Sequence, residues 1–492
     1  MNAFLLSLRP ALREIFPFVA AMLTTALLSM LFSLKAQAVT ILALFGIICF
    51  VQLSPANGLL FYLFYLSIEG ALKMFTHYNP IVHVGSDLIL VFVLLRLLMQ
   101  KQLETKLKPV SYSAIPQVHH ILGFMLVFWL WVFVQFLNPW GIGLMPSIAA
   151  MKLYLAPFAV FLIVGYLMQK NELKYIPCLL TIIGFYEGAI ALLDWYKGPT
   201  FLLAFEPTYA RINYAFHNLL YRPFGLTVFP GAPSTWMYIC LPAVLIQAHR
   251  LHLNCNQSFI RRNLGVLLLS SYVLVAALTL LVCQVRINMI GFCLTLIFGL
   301  LLSWKRALAS LLLAGPLVIL LMLSIQKTVL ERSDLLATKL ELATKRAATL
   351  SKQDTWLHSR QFGLGNIFKD LGSKTLLGIG LSRSAASATP WLKEMEKEKY
   401  FGTSLVFADD MFQALFTELG LGGLIAYVML LIMLMRTLWQ TGHYEARLIT
   451  CYCLSVCFVG FGSSGPLYQP HASLFWLYPA LAFKQMFGGV SS

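Results

Sequence analysis

Apolar stretches of about twenty residues recur along almost the whole chain, and no other feature restricts its fold so strongly. Twenty helical residues rise about 30 Å, the thickness of a bilayer's hydrocarbon core. About fourteen such stretches are found, at 15–34, 37–53, 56–75, 82–99, 119–137, 150–168, 175–196, 232–249, 264–284, 286–303, 306–325, 408–436, 446–464 and 470–488. They predict an all-α polytopic membrane protein. One substantial polar block interrupts them. Helices 1–11 therefore occupy 1–325, with an outer loop at about 197–231. A large helical loop fills 326–407, and helices 12–14 fill 408–492. The chain is 59% hydrophobic and only 11% charged, whereas a soluble domain clothes itself with roughly 25% charged residues.

Sidedness follows from parity and charge. With the N-terminus inside, the cytoplasmic connections hold Lys101, Lys106 and Lys108; Lys170 and Lys174; Arg250, Arg261 and Arg262; Lys305 and Arg306; and Arg436 and Arg447. Short loops rich in Lys and Arg stay inside. Both termini are then cytoplasmic, and the loops at 197–231 and 326–407 lie outside. The net charge of +16 sits mostly at the ends of apolar runs, as topology requires, and not in a nucleic-acid-binding tail. At the N-terminus Arg9 and Arg13 precede the first apolar stretch, and Ala36-Gln37-Ala38 resembles a cleavage site. That stretch is longer than a signal core and Lys35 adjoins the site, so an uncleaved first span is expected.

The block at 326–407 carries 13 Lys/Arg against 8 Asp/Glu. Long loops translocate largely regardless of charge. Leu336, Leu340, Ala343, Ala347 and Leu350 recur at helical spacing, and Glu341 precedes Lys345 by four, which predicts an amphipathic helix. Thr389-Pro390 reads as the start of a second, charged helix through Lys399. Gly378-Ile379-Gly380 between them is a turn; without a preceding strand it is no dinucleotide fingerprint. None of the nine cysteines forms a CxxC pair, and Cys451, Cys453 and Cys457 read as helix packing, so no metal site is expected.

A few charged residues stand out against this apolar background. Arg286 lies in the very short outer connection between the stretches at 264–284 and 286–303, within Val285-Arg286-Ile287-Asn288. It is either an interfacial anchor or an anion clamp, since a guanidinium fork matches pyrophosphate oxygens. Asp409 and Asp410 open the stretch at 408–436. One aspartate suffices to cap a helix, and a second is placed to take a proton from a sugar hydroxyl. Glu418, Glu187 and Asp87 are ionisable groups within spans, and such groups are functional suspects. Glu69 and Lys73, four apart, are expected simply to pair. Arg211, His217 and Arg222 decorate the first outer loop, and Tyr468 and His471 the last. Walker, zinc-protease and nucleophile-elbow motifs are absent. The paired acid with which many soluble sugar-transfer enzymes hold a metal and a nucleotide sugar has no clear counterpart in a cytoplasmic loop, so any sugar chemistry would occur outside, on lipid-linked donors.

Four segments carry a family resemblance. Arg222-Pro-Phe-Gly225-Leu-Thr-Val-Phe leads into a span containing Leu241-Pro242. Val285-Arg286-Ile-Asn-Met-Ile-Gly291 starts a long apolar helix. Arg360 is followed eighteen residues later by Gly378 in Leu377-Gly378-Ile-Gly380. Asp409-Asp410, nine residues and Gly420-Leu-Gly-Gly423 complete the set. In order, spacing and topology they resemble the O-antigen ligase and polymerase superfamily of bacterial envelope glycan assembly, over roughly 220–480. The resemblance implies a GT-C-like fold in the inner membrane and an active site facing the periplasm. It implies an inverting glycosyltransferase without cofactor or metal, acting on undecaprenyl-pyrophosphate-linked donor and acceptor. A flippase and a chain-length regulator are the implied partners. Arg286 and Arg360, with Arg222 or Arg211, would grip the pyrophosphate, and Asp409 or Asp410 would act as base. The ligases place histidine where this chain has Asp409, which favours a polymerase over a ligase. The rival of another class is an ion-coupled transporter with Asp87, Glu187 and Glu418 as its relay; a non-catalytic scaffold is the third.

Overall fold

Helix is the only regular structure among the described residues. The computed structural model describes residues 54–76, 80–105, 116–138, 144–167, 173–198, 222–253, 259–303, 372–381, 410–463, 465–467 and 469–487. The stretches predicted at 15–34, 37–53 and 306–325 and both helices predicted in the large loop lie outside them. So do Arg211, His217, Arg360, Asp409 and Tyr468.

Eleven α-helices fall on the other eleven predicted stretches. They are α1 (Pro55–Phe75), α2 (Pro80–Thr105), α3 (Pro116–Phe136), α4 (Leu144–Leu162), α5 (Ile176–Lys197), α6 (Pro233–Leu253), α7 (Phe259–Cys283), α8 (Arg286–Ser303), α9 (Met411–Gln440), α10 (Tyr444–Gly460) and α11 (His471–Phe487). Proline opens α1, α2, α3 and α6, where its fixed φ suits the first turn and its missing N–H costs nothing. Pro157 inside α4 removes a hydrogen bond, and the helix passes into a π turn at Ile163–Leu167. Among the described residues, Pro55–Phe75, Ile176–Lys197, Leu264–Cys283 and Met411–Gln440 are long and apolar enough to cross a membrane.

The helices form two units. In the first, α6 packs on α5 and α7, α5 also meets α1, and α1 pairs with α2. Gly184 and Gly188, one turn apart on α5, let α7 approach closely. A Cβ on Gly184 would lie 2.7 Å from the Tyr272 ring, and one on Gly188 2.6 Å from Val275. Tyr272 uses its hydroxyl on the Met237 carbonyl of α6 (2.8 Å), so the buried phenol is satisfied.

In the second unit α9 packs on α3 and α10, α10 on α8 and α11, and α11 on α4. Its core is aromatic: the Phe158 and Trp476 rings lie 4.3 Å apart, tilted by 40°, and Phe128 and Tyr427 join them. The Thr295 and Ser455 hydroxyls meet at 2.7 Å between α8 and α10, satisfying two buried polar groups at once. On α3, Leu126, Val127, Leu130, Phe133 and Val134 point outward. On α2, Leu88, Val91, Leu95 and Leu98 do the same. Exposed apolar faces of that extent are stable against lipid and not against water.

Candidate functional site

Each unit seats an irregular segment on a helix by backbone contacts, and of the charged residues singled out in the sequence Arg222, Glu187, Asp410 and Glu418 lie on or beside these seats. In the first unit the segment is Arg222–Ala232. The Gly231 amide donates to the Pro223 carbonyl (2.8 Å), closing the segment into a ring. Gly225 (φ +56°) and Gly231 (φ +81°) take left-handed turns that other residues resist. The Asp194 carboxylate on α5 accepts from the Phe224 and Gly225 amides at 2.7 and 3.2 Å. The Leu226 carbonyl accepts from the Ala71 amide of α1 (2.7 Å), and Gly70 leaves the room: a Cβ there would stand 2.6 Å from that oxygen.

The closure of the ring rests on the end of α7. A Cβ on Gly231 would lie 2.8 Å from the Cys283 carbonyl oxygen and 2.8 Å from Val285. Gln284 between them has φ +57°, a left-handed helix ending that costs a non-glycine residue about 1–2 kcal/mol. Arg222 is half-buried at the neck of the ring, with its Nε enclosed. Glu187, two turns before Asp194, is fully buried beneath the ring. The Leu226 backbone faces its carboxylate, and a Gly225 Cβ would stand 3.7 Å from its Oε2. Glu69 and Lys73 pair at 2.7 Å on α1, as their spacing predicts. Asp87 is partly exposed on α2.

In the second unit the helix itself is broken. Gly420 has φ +67° and ψ −173°, so α9 consists of a short arm, Met411–Leu419, and a long one from Leu421. The turn Thr375–Ile379 fills the break. The Ile379 amide donates to the Thr417 carbonyl (2.9 Å), while the Leu421 and Gly422 amides donate to the carbonyls of Thr375 (2.9 Å) and Leu376 (3.2 Å). Trp131 of α3 donates its indole N–H to the Leu419 carbonyl (2.8 Å), and its ring covers Gly422 and Gly423. Backbone groups freed by the break are thereby re-satisfied within the protein, the condition for broken helices in lipid. The long arm, Leu421–Gln440, is by itself about 30 Å, enough to cross. Glu418 therefore stands on the short arm, before the break, and not two turns down a continuous span.

Asp410 is the N-cap of α9: it is buried, extended in backbone, and its Oδ1 accepts from the Gln413 amide at 2.7 Å. Glu418 is fully buried and accepts a 2.6 Å hydrogen bond from the Tyr154 hydroxyl of α4. His471, also buried, begins α11, and Arg286 begins α8 half-buried. No protein-family model matches the chain, and no curated protein matches it in sequence. Its chemistry must be read from these two seats.

Five of the ten candidate site residues lie outside the described residues: Arg211, His217, Arg360, Asp409 and Tyr468. Of the rest, Arg222 occupies the first seat, and Asp410 and Glu418 share the short arm of α9. Sequence reading passed over Asp194, Tyr154 and Trp131. Asp194 carried one usable signal, since it follows Glu187 by seven and shares its helix face. The aromatic pair carried none, because both lie inside apolar runs where packing explains an aromatic ring.

Proposed function

We propose that the protein polymerises bacterial surface glycan or exopolysaccharide, joining undecaprenyl-pyrophosphate-linked repeat units on the outer face of the inner membrane. The observation that supports this best is the seat of Thr375–Ile379 in the α9 break. It ties the middle of the loop that carries Arg360 to the helix that Asp410 caps. Two segments of the family pattern, separated in sequence, are thus one interlocked backbone.

In the proposed reaction Arg286 and Arg360, with Arg222 or Arg211, hold the pyrophosphate of the growing glycan. A hydroxyl of the incoming lipid-linked repeat attacks the anomeric carbon. The bond from that carbon to the pyrophosphate oxygen breaks, and undecaprenyl pyrophosphate leaves with the electron pair. Charge-assisted hydrogen bonds from the guanidinium groups stabilise the leaving oxygens. Direct displacement inverts the anomeric centre. Asp410 is engaged as the α9 cap, so Asp409 is assigned as the base that takes the hydroxyl proton. The fourteen-span, GT-C-like architecture with both termini cytoplasmic belongs to the same proposal.

The glycan of a deletion strain tests it. Single repeats without long polymer are expected. Long polymer stranded on the lipid carrier would replace this reading with a ligase, and an unchanged glycan would overturn both.

A further inference from the structure

The Asp194 carboxylate stands in the last turn of α5, at the negative end of the helix dipole, fully buried. Both circumstances disfavour a carboxylate. What compensates is the pair of consecutive amides, Phe224 N–H and Gly225 N–H, both aimed at one oxygen. Successive backbone amides converging on one point are a way in which proteins hold a free anion. Here the protein offers them its own carboxylate, so these two amides are not left to bind phosphate.

The ring does not tighten around Asp194 alone. Pro223 fixes φ one residue before Phe224, and the Gly231-to-Pro223 hydrogen bond closes the ring at that same proline. Leu226 is pinned to α1 at Ala71. Arg222 is thus the first residue outside a ring held at its base by Asp194, and its half-buried guanidinium inherits the ring's position.

We infer that Asp194 is a positioning residue for pyrophosphate binding, acting through Arg222: it seats the ring so that the guanidinium is presented to the lipid-linked donor's phosphates. This rests on the pyrophosphate role proposed for Arg222.

The test is a double-substitution cycle on the full chain in lipid nanodiscs, with undecaprenyl pyrophosphate as the binding probe and polymer formation from the lipid-linked repeat as a second readout. Asp194→Ala and Arg222→Ala should each weaken probe binding about tenfold, because a small misplacement of a clamping group carries a penalty of that order or more. Asp194→Asn keeps an acceptor oxygen and should recover most of the affinity. The decisive variant is the double. If Asp194 acts through Arg222, the double binds no more weakly than Arg222→Ala alone, which a general structural defect would not produce. Defects that multiply in the double, or normal binding in Asp194→Ala and Asp194→Asn, would overturn the inference. Should Asp194→Ala fail to accumulate, Asp194→Ser, alone and combined with Arg222→Ala, gives the same comparison. Coupled binding defects in the variants, with a wild-type protein that binds the probe but forms no polymer, would overturn the polymerase reading and leave this inference standing. Normal polymerisation with probe binding indifferent to Arg222→Ala would overturn this inference and leave that reading standing.

Discussion

Gly378 and Gly420 meet backbone to backbone: a Cβ on the first would stand 2.5 Å from the amide nitrogen of the second, and one on the second 2.4 Å from that of the first. Both are left-handed, at φ +76° and +67°. Neither neighbour is a flexible side chain that could yield. Gly378→Ala and Gly420→Ala should each lower stability by about 3 kcal/mol or more, adding backbone strain to overpacking. Gly372 is the control, because it is also left-handed (φ +48°) but has nothing within 4 Å of its Cβ position. Gly372→Ala should cost about 1–2 kcal/mol. Thermal unfolding of the detergent-solubilised protein ranks the three, and equal losses would mean that the close approach is not rigid.

The aspartate pair separates capping from catalysis. Asn caps about as well as Asp, so Asp410→Asn should leave protein level and polymer nearly unchanged, while Asp410→Ala should lose about 1 kcal/mol of stability. An amide cannot take a proton near neutral pH, so Asp409→Asn should abolish polymer at normal membrane levels. Polymer length on gels reads both, and full-length polymer from Asp409→Asn would end its assignment as base.

Arg286→Lys keeps the charge but loses the bidentate fork. Chain length should fall sharply while the protein still accumulates. Near-normal chains would make Arg286 an interfacial anchor instead.

Tyr154→Phe removes a donor to a fully buried carboxylate, at a cost of about 1.5–3 kcal/mol. Glu418→Gln keeps an acceptor for the same hydroxyl and should cost less. A melting experiment in which Glu418→Gln is the more damaging change would show that the negative charge of Glu418, and not its bond to Tyr154, is what the second unit needs.

Reporters fused after Lys352 and after Lys108 or Arg261 test the charge-derived topology. The first should behave as extracytoplasmic and the others as cytoplasmic. A cytoplasmic Lys352 would remove the proposed mechanism, whose substrates face outward.

The positions of the helices were legible in the sequence because a lipid-facing segment must be apolar for about twenty residues, and that condition is local. Every stretch predicted within the described residues carries a helix. Asp410 as a cap and Glu69 with Lys73 as a pair were legible for the same reason, since each relation spans three or four residues of one helix. The break in α9 was not. Gly420 stands in a glycine-rich apolar run that reads as continuous helix, and only the arrival of Thr375–Ile379 makes the non-helical backbone affordable there. Nor could spacing show that Asp194 holds amides thirty residues away, or that Trp131 caps a carbonyl of α9. Hydropathy along the chain determines which segments enter lipid, because that cost is summed residue by residue. Which buried polar groups find partners is decided by the tertiary structure, because each hydrogen bond needs a donor brought from elsewhere in the chain to within about 3 Å.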